Sequence, residues 1–268
     1  MDINTNRAIG VFDSGIGGLT VVRALMERLP FENIIYFGDT ARVPYGIKSV
    51  ETINRYALQI TEFLIQKDVK LLIVACNTMA AVAYDAIRNI SPVPVLEVIE
   101  ASAKIAARDT INKSIGVIGT PATINSNAYA RAIHLLDKEV IIFSQACPLF
   151  VPLVEEGWFD HQATRLIAED YLKPVIAEQI DTLVLGCTHY PLLKPLLQEI
   201  VGPEVNLIDS AEAMADIAAD LIERENMGNT SRMLPDYRFC VTDVPYRFQT
   251  IGERFLGRTL SSVEMIRL

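Results

Sequence analysis

No stretch of the 268-residue sequence approaches the ~20 consecutive apolar residues needed to cross a bilayer. The opening residues Met1-Asp2-Ile3-Asn4-Thr5-Asn6-Arg7 lack the charged-then-apolar pattern of an export signal. A cytoplasmic protein without a membrane partner is expected. Positive charge is scarce: 24 Lys and Arg stand against 33 Asp and Glu, for a net charge of −9. No basic field therefore draws in a phosphate backbone, and nucleic acid is not an expected partner. Cysteine is scarce as well. Four residues (Cys76, Cys147, Cys187 and Cys240) in so long a chain make no disulfide framework, and a reducing compartment keeps them as thiols. What is abundant is apolar: 50% of residues belong to the AVILMFWYC set and 21% are charged, which excludes a disordered or collagen-like chain. The length allows one large domain or two of moderate size.

Short apolar runs alternate with helical periodicity. Residues 8–12, 33–37, 71–75 and 93–97 read as buried strands, and residues 19–29, 49–67 and 79–90 as helices between them, the pattern of a parallel sheet covered on both faces. The pattern then begins again. Ser114-Ile115-Gly116-Val117-Ile118-Gly119-Thr120 echoes Ala8-Ile9-Gly10-Val11-Phe12-Asp13-Ser14 at an offset of 106. Thr182-Leu183-Val184-Leu185-Gly186-Cys187-Thr188-His189 echoes Leu71-Leu72-Ile73-Val74-Ala75-Cys76-Asn77-Thr78 at an offset of 111. Two echoes at nearly one spacing predict a duplicated unit: an α/β fold of two similar lobes, each a mostly parallel sheet flanked by helices, with the active site in the cleft between them. In the tail, Ser210 is read as the cap of a helix to about Glu225 and residues 237–241 as a further strand. The tail is too short for a third core. Residues 1–98 and 210–268 are therefore expected to form a discontinuous first lobe and residues 99–209 the second, with residues 227–231 as a flexible linker.

Asp13-Ser14-Gly15-Ile16-Gly17-Gly18 falls between a strand and a helix, where backbone N–H groups and the helix dipole can hold an anion. The spacing is G-x-G-G, neither the dinucleotide nor the Walker fingerprint, so a carboxylate with Ser14 as donor fits better than a pyrophosphate. A tight turn requiring glycine accounts for the same glycines equally well. Cys76 and Cys187 each follow an apolar strand and precede small polar residues at a helix start, where the helix N-terminus is expected to lower a thiol's pKa. One buried cysteine is ordinary packing; two at matched ends of matched halves are harder to explain that way. Cys-x-x-Cys redox chemistry and a zinc site both require other spacings, and a hydrolase needs only one of the two thiols. Removing a proton from one face of a carbon and returning one to the other needs two opposed acid/base groups, which matched thiols across a cleft provide.

With these segments the sequence resembles the cofactor-independent glutamate racemases of bacterial cell-wall synthesis. Beyond those already quoted, the resemblance is carried by Gly38-Asp39-Thr40-Ala41-Arg42-Val43-Pro44-Tyr45-Gly46, Cys147-Pro148 through Val154-Glu155, and Gly186-Cys187-Thr188-His189-Tyr190-Pro191. It covers nearly the whole chain. The resemblance implies that Cys76 takes the α-proton from D-glutamate and Cys187 from L-glutamate, with Asp13 and His189 assisting on their respective sides and Glu155 in a supporting acidic role. It implies that Asp13, Ser14, Pro44, Tyr45, Gly46, Asn77, Thr78, Thr188 and His189 bind substrate beside the two cysteines. It also implies no pyridoxal phosphate or other cofactor, no metal, and a homodimer. Cys147 and Cys240 are read as structural, and Asp39, Arg42 and Lys48 as possible supports of the Pro-Tyr-Gly loop. Two other readings stand beside the leading one: a racemase of the same superfamily acting on aspartate or a related compound, and a two-lobed amino-acid-binding or regulatory protein without turnover.

Overall fold

The apolar runs become strands of two separate sheets. The computed structural model describes residues 5–231, 233–260 and 262–268; the first four residues of the N-terminal segment read above lie outside them. The chain begins with β1 (Ile9–Asp13), α1 (Leu19–Arg28), β2 (Ile34–Gly38), α2 (Val50–Gln66), β3 (Leu71–Val74), α3 (Asn77–Ile90) and β4 (Val95–Glu97). It continues through α4 (Val98–Asp109), β5 (Ser114–Gly119), α5 (Pro121–Asn125), α6 (Ala128–Leu136), β6 (Ile141–Ala146) and α7 (Phe150–Glu155). Next come α8 (Gln162–Ile176), β7 (Thr182–Gly186), α9 (Lys194–Val201) and β8 (Asn206–Asp209). It ends with α10 (Ser210–Arg224), β9 (Tyr237–Val241), α11 (Pro245–Leu256) and β10 (Val263–Met265).

One sheet has the order β10-β9-β2-β1-β3-β4 and the other β6-β5-β7-β8. Every pairing is parallel. The order β2-β1-β3-β4 is thus repeated by β6-β5-β7-β8, the topological counterpart of the two sequence echoes. Helices cover both sheets, so the central strands β1, β3 and β7 are buried along their whole length, as continuous apolar runs require. The register matters for the chemistry. Phe12 pairs with Val74, and two residues further along the strands stand Ser14 and Cys76. Gly119 pairs with Gly186, and one residue further stand Thr120 and Cys187. Each sheet therefore presents one hydroxyl and one thiol side by side at the C-terminal ends of two adjacent inner strands, where ligands bind in open α/β sheets.

Two expectations are corrected. Helix α10 is capped by Asp209, whose Oδ1 accepts from the Ala211 N–H at 2.8 Å, while Ser210 is the first helical residue. The carboxylate one position earlier reaches the N-terminal donors better than the serine already inside the turn. Residues 227–231 are no flexible linker: Met227 is fully buried and the segment is fastened at its start. The buried Lys70 Nζ donates to Met227 O at 2.7 Å and to Thr5 O at 2.6 Å, and pairs with Glu32 Oε2 at 2.5 Å. The other Glu32 oxygen accepts from the Asn229 N–H at 2.8 Å. Burial lowers the Lys70 pKa from its ordinary value, and Glu32 acts against that shift. One ion pair thereby ties the returning tail to the first sheet.

Removing the ammonium leaves a buried carboxylate without its cation, so Lys70→Met should cost about 3–5 kcal/mol in urea unfolding. The double variant Lys70→Met/Glu32→Leu should recover part of that loss. A single-variant cost below about 1 kcal/mol would contradict this role for the pair.

Candidate active site

The loop after β1 is shaped by a buried carboxyl and by glycines that leave room for other chains. Asp13 Oδ2 accepts from the Gly15 N–H at 2.9 Å, and Tyr36 Oη donates to Gly15 O at 2.9 Å. A Cβ on Gly17 would lie 2.2 Å from Thr188 Oγ1 and 2.5 Å from His189 Nδ1. The loop of the first sheet is therefore pressed directly against the Cys187-Thr188-His189 loop of the second. Thr20 Oγ1 adds a hydrogen bond to Thr188 O at 3.1 Å across the same boundary. On the far side of the cleft, the Val43-Pro44 peptide is cis, and Gly46 faces Thr120 closely enough for an added Cβ to sit 3.3 Å from it.

Between these two contacts lies a cavity of about 420 Å³. Cys76, Asn77 and Thr78 line it from the first sheet, and Cys187, Thr188 and His189 from the second. Ser14, Pro44, Tyr45, Gly46 and Glu155 complete the set of expected residues on its wall. Of the residues predicted from sequence, only Asp13 does not line the cavity; it is buried beneath the loop. Cys147 and Cys240 are buried elsewhere. Asp39 is fully buried and accepts from Tyr45 Oη at 2.5 Å and from Thr242 Oγ1 at 2.8 Å, so it braces the Pro-Tyr-Gly loop against the end of β9.

The two thiols have unlike surroundings. Cys76 Sγ donates to Ser14 Oγ at 3.5 Å. Burial, reinforced by the neighbouring Asp13 carboxyl, pushes this thiol up to about 12. That reverses the lowering expected from the helix N-terminus: Cys76 does stand at the N-cap position of α3, but desolvation outweighs the backbone donors there. Asp13 is itself raised by burial, against the opposing pull of His189 and the loop N–H groups. Cys187 Sγ instead lies 3.9 Å from His189 Nδ1, and His189 Nε2 meets Glu155 Oε1 at 3.1 Å. Burial lowers the imidazole, but its hydrogen bonds to Cys187 and Glu155 prevail and raise it to about 10. A ring raised in this way holds its proton more readily and so favours negative charge developing beside it.

Sequence reading missed several lining residues. Thr120 is the echo of Ser14 at the 106-residue offset, so the internal repeat carried the signal for it. Thr120 Oγ1 meets Thr78 Oγ1 at 3.1 Å and Thr123 Oγ1 at 3.0 Å, bringing hydroxyls of both sheets together. Pro148, Val151 and Pro152 give the cavity an apolar wall; they lie within the segment from Cys147 to Glu155 that carries the family resemblance, but their place on the wall was not read from it. Among the described residues no cluster of three or more His, Cys, Asp or Glu side chains suits a metal ion, and no helix is long and apolar enough to cross a membrane.

Two α/β lobes thus bring one thiol each to a shared cavity. The Asp/Glu/Hydantoin racemase family model matches residues 9–218. A glutamate racemase of Syntrophus aciditrophicus is 70% identical over 260 residues, covering 97% of this chain and 96% of that protein. A glutamate racemase of Neisseria meningitidis serogroup A is 58% identical, covering 100% and 99%. The crystal structure of glutamate racemase from Francisella tularensis in complex with D-glutamate superposes with a TM-score of 0.93 at 44% identity, covering 98% of each chain. The chain belongs to the Asp/Glu/Hydantoin racemase family and groups with the glutamate racemases in it. Its enzyme class is that of the amino-acid racemases.

NMR titration of the His189 ring should give a midpoint near about 10, and Glu155→Gln should lower it. Because the folded-state value lies above the ordinary 6.5, the imidazolium adds stability that is complete below pH 6.5 and fades as pH rises toward about 10. Glu155→Gln should lose part of that pH dependence. Titration near 6.5 in both proteins would contradict the ion pair.

Proposed function

We propose that the chain is a glutamate racemase, interconverting L-glutamate and D-glutamate without a cofactor through a two-base mechanism. The observation that carries this reading is that Cys76 and Cys187, from different sheets, line one small cavity with hydroxyl and amide groups around them. An amino-acid α-proton is far less acidic than a thiol, so the site must stabilise the carbanion that forms. Backbone N–H groups and hydroxyls gathered on the α-carboxylate do this in a dry cleft, each such donor being worth on the order of 3 kcal/mol in other enzymes.

From L-glutamate, the Cys187 thiolate takes the α-proton and becomes a thiol, supported by the His189 imidazolium and Glu155. The electron pair left on the α-carbon delocalises into the carboxylate. Cys76, held as a thiol by burial and by Asp13, gives its proton to the opposite face and becomes the thiolate. The product is D-glutamate and the enzyme is left with its two protonation states exchanged, ready for the reverse reaction. Ser14, Pro44, Tyr45, Gly46, Asn77, Thr78 and Thr188 hold the two carboxylates and the ammonium. In this reading residues 1–98 with 210–268, and residues 99–209, are the two lobes that close on the substrate; the enzyme works in the cytoplasm as a homodimer and supplies D-glutamate for peptidoglycan.

The test is isotope exchange in D₂O. L-Glutamate and D-glutamate should both be racemised with α-deuteration, and L-aspartate should not react. Silence with both glutamates would overturn the proposal, and exchange with aspartate alone would favour a related racemase. Cys187→Ala should lower racemisation at least about 100-fold. It should still let Cys76 exchange the α-hydrogen of D-glutamate with retention, and Cys76→Ala should show the same for L-glutamate. Full racemisation by either variant would rule out two bases.

A further inference from the structure

The side-chain amide of Asn77 is buried, and its Nδ2 has no hydrogen-bond partner among the described residues although the residue lines the cavity between the two thiols. A buried amide N–H₂ without an acceptor is costly, so its presence points to an acceptor that arrives with the ligand. Its orientation is set by a residue outside the cavity wall. Tyr129, on α6 and itself buried, donates from Oη to Asn77 Oδ1 at 2.6 Å. Burial raises the Tyr129 phenol far above its usual range, so the hydroxyl keeps the proton that it donates. Holding Oδ1 in this way leaves Nδ2, and not the oxygen, as the amide atom without a partner, and prevents the amide from presenting its oxygen to an anion.

The same tyrosine touches the second thiol's strand. A Cβ on Gly186 would lie 2.9 Å from Tyr129 Cε2, so the ring rests against the residue immediately before Cys187. The backbone carbonyl of Ile118, 2.7 Å from the same point, and the phenol ring together leave no room for a side chain there. One side chain of α6 thereby spans from the strand end that carries Cys187 to the amide that follows Cys76. A tyrosine that merely filled the core would need no buried acceptor on the opposite lobe.

We propose that Tyr129 is a positioning residue: it acts through Asn77, fixing the amide so that Nδ2 donates to a substrate carboxylate. This rests on the glutamate racemase reading above. Mirror-image substrates have equal free energies in water, so any loss of kcat/KM must be the same factor with L- and D-glutamate. Tyr129→Phe should lower kcat/KM about tenfold with both isomers while keeping a cooperative melt. In the Asn77→Ala background the same change should cost less than twofold, because the group that the phenol orients is already gone. An equal loss in both backgrounds, or no loss in the wild-type background, would overturn the proposal. Tyr129→Met removes the hydroxyl but keeps apolar bulk, and gives the same cycle if the phenylalanine variant does not fold. A wild-type enzyme inactive on both glutamates would sink the underlying reading, whereas an active one with additive losses would sink this inference alone.

Discussion

The two halves of the molecule meet where Gly17 leaves no room for a side chain beside Thr188 and His189. That close approach brings the strand-end loop of one sheet onto that of the other, and the remaining site geometry depends on it. It buries Asp13 and lets its carboxyl feel the His189 charge. It leaves both thiols largely buried, so the electrostatics of a few neighbouring groups are weakly screened. The second contact, Gly46 against Thr120, closes the opposite side with another pair that tolerates little extra bulk. Small residues at both contacts allow two similar α/β units to enclose one cavity.

Within that enclosure, symmetry of fold and asymmetry of charge coexist. Strand order and register are repeated, so hydroxyl and thiol recur side by side as Ser14 with Cys76 and Thr120 with Cys187. Their neighbours are not repeated. Cys76 has a buried carboxyl close by and is raised, whereas Cys187 has a buried imidazolium braced by Glu155. A reaction that needs an acid on one face and a base on the other suits such a pair, since identical environments would give both thiols the same protonation preference. The net charge of −9 has no bearing on this, because it is a total for the whole chain, whereas the cavity wall carries hydroxyls, an amide and the His189–Glu155 pair.

The sequence made the central strands legible because parallel strands buried on both faces are continuous apolar runs, as in Leu71–Val74 and Thr182–Gly186. Strand β6 (Ile141–Ala146) lies at a sheet edge and is partly exposed, so it carries no such run. The pinned tail segment was misread for another reason: Gly, Asn, Thr and Ser resemble a linker until Lys70 and Glu32, distant in sequence, are seen to hold it. The thiols, the glycine loop and His189 were all legible from local motifs at strand ends. The lowered pKa expected for Cys76 failed because a helix start is a local feature, whereas desolvation by burial is tertiary. Tyr129 was invisible because only the packing of α6 against Gly186 brings its hydroxyl to Asn77.

The central claim is that the two sulfurs serve opposite faces of one carbon. A crystal structure of this chain with D-glutamate bound tests it most directly. The account predicts the α-carbon between Cys76 Sγ and Cys187 Sγ, one sulfur on each face, with the α-hydrogen directed at Cys76 and His189 still bridging Cys187 and Glu155. Both sulfurs on one face, or either thiol turned away from the α-carbon, would contradict it.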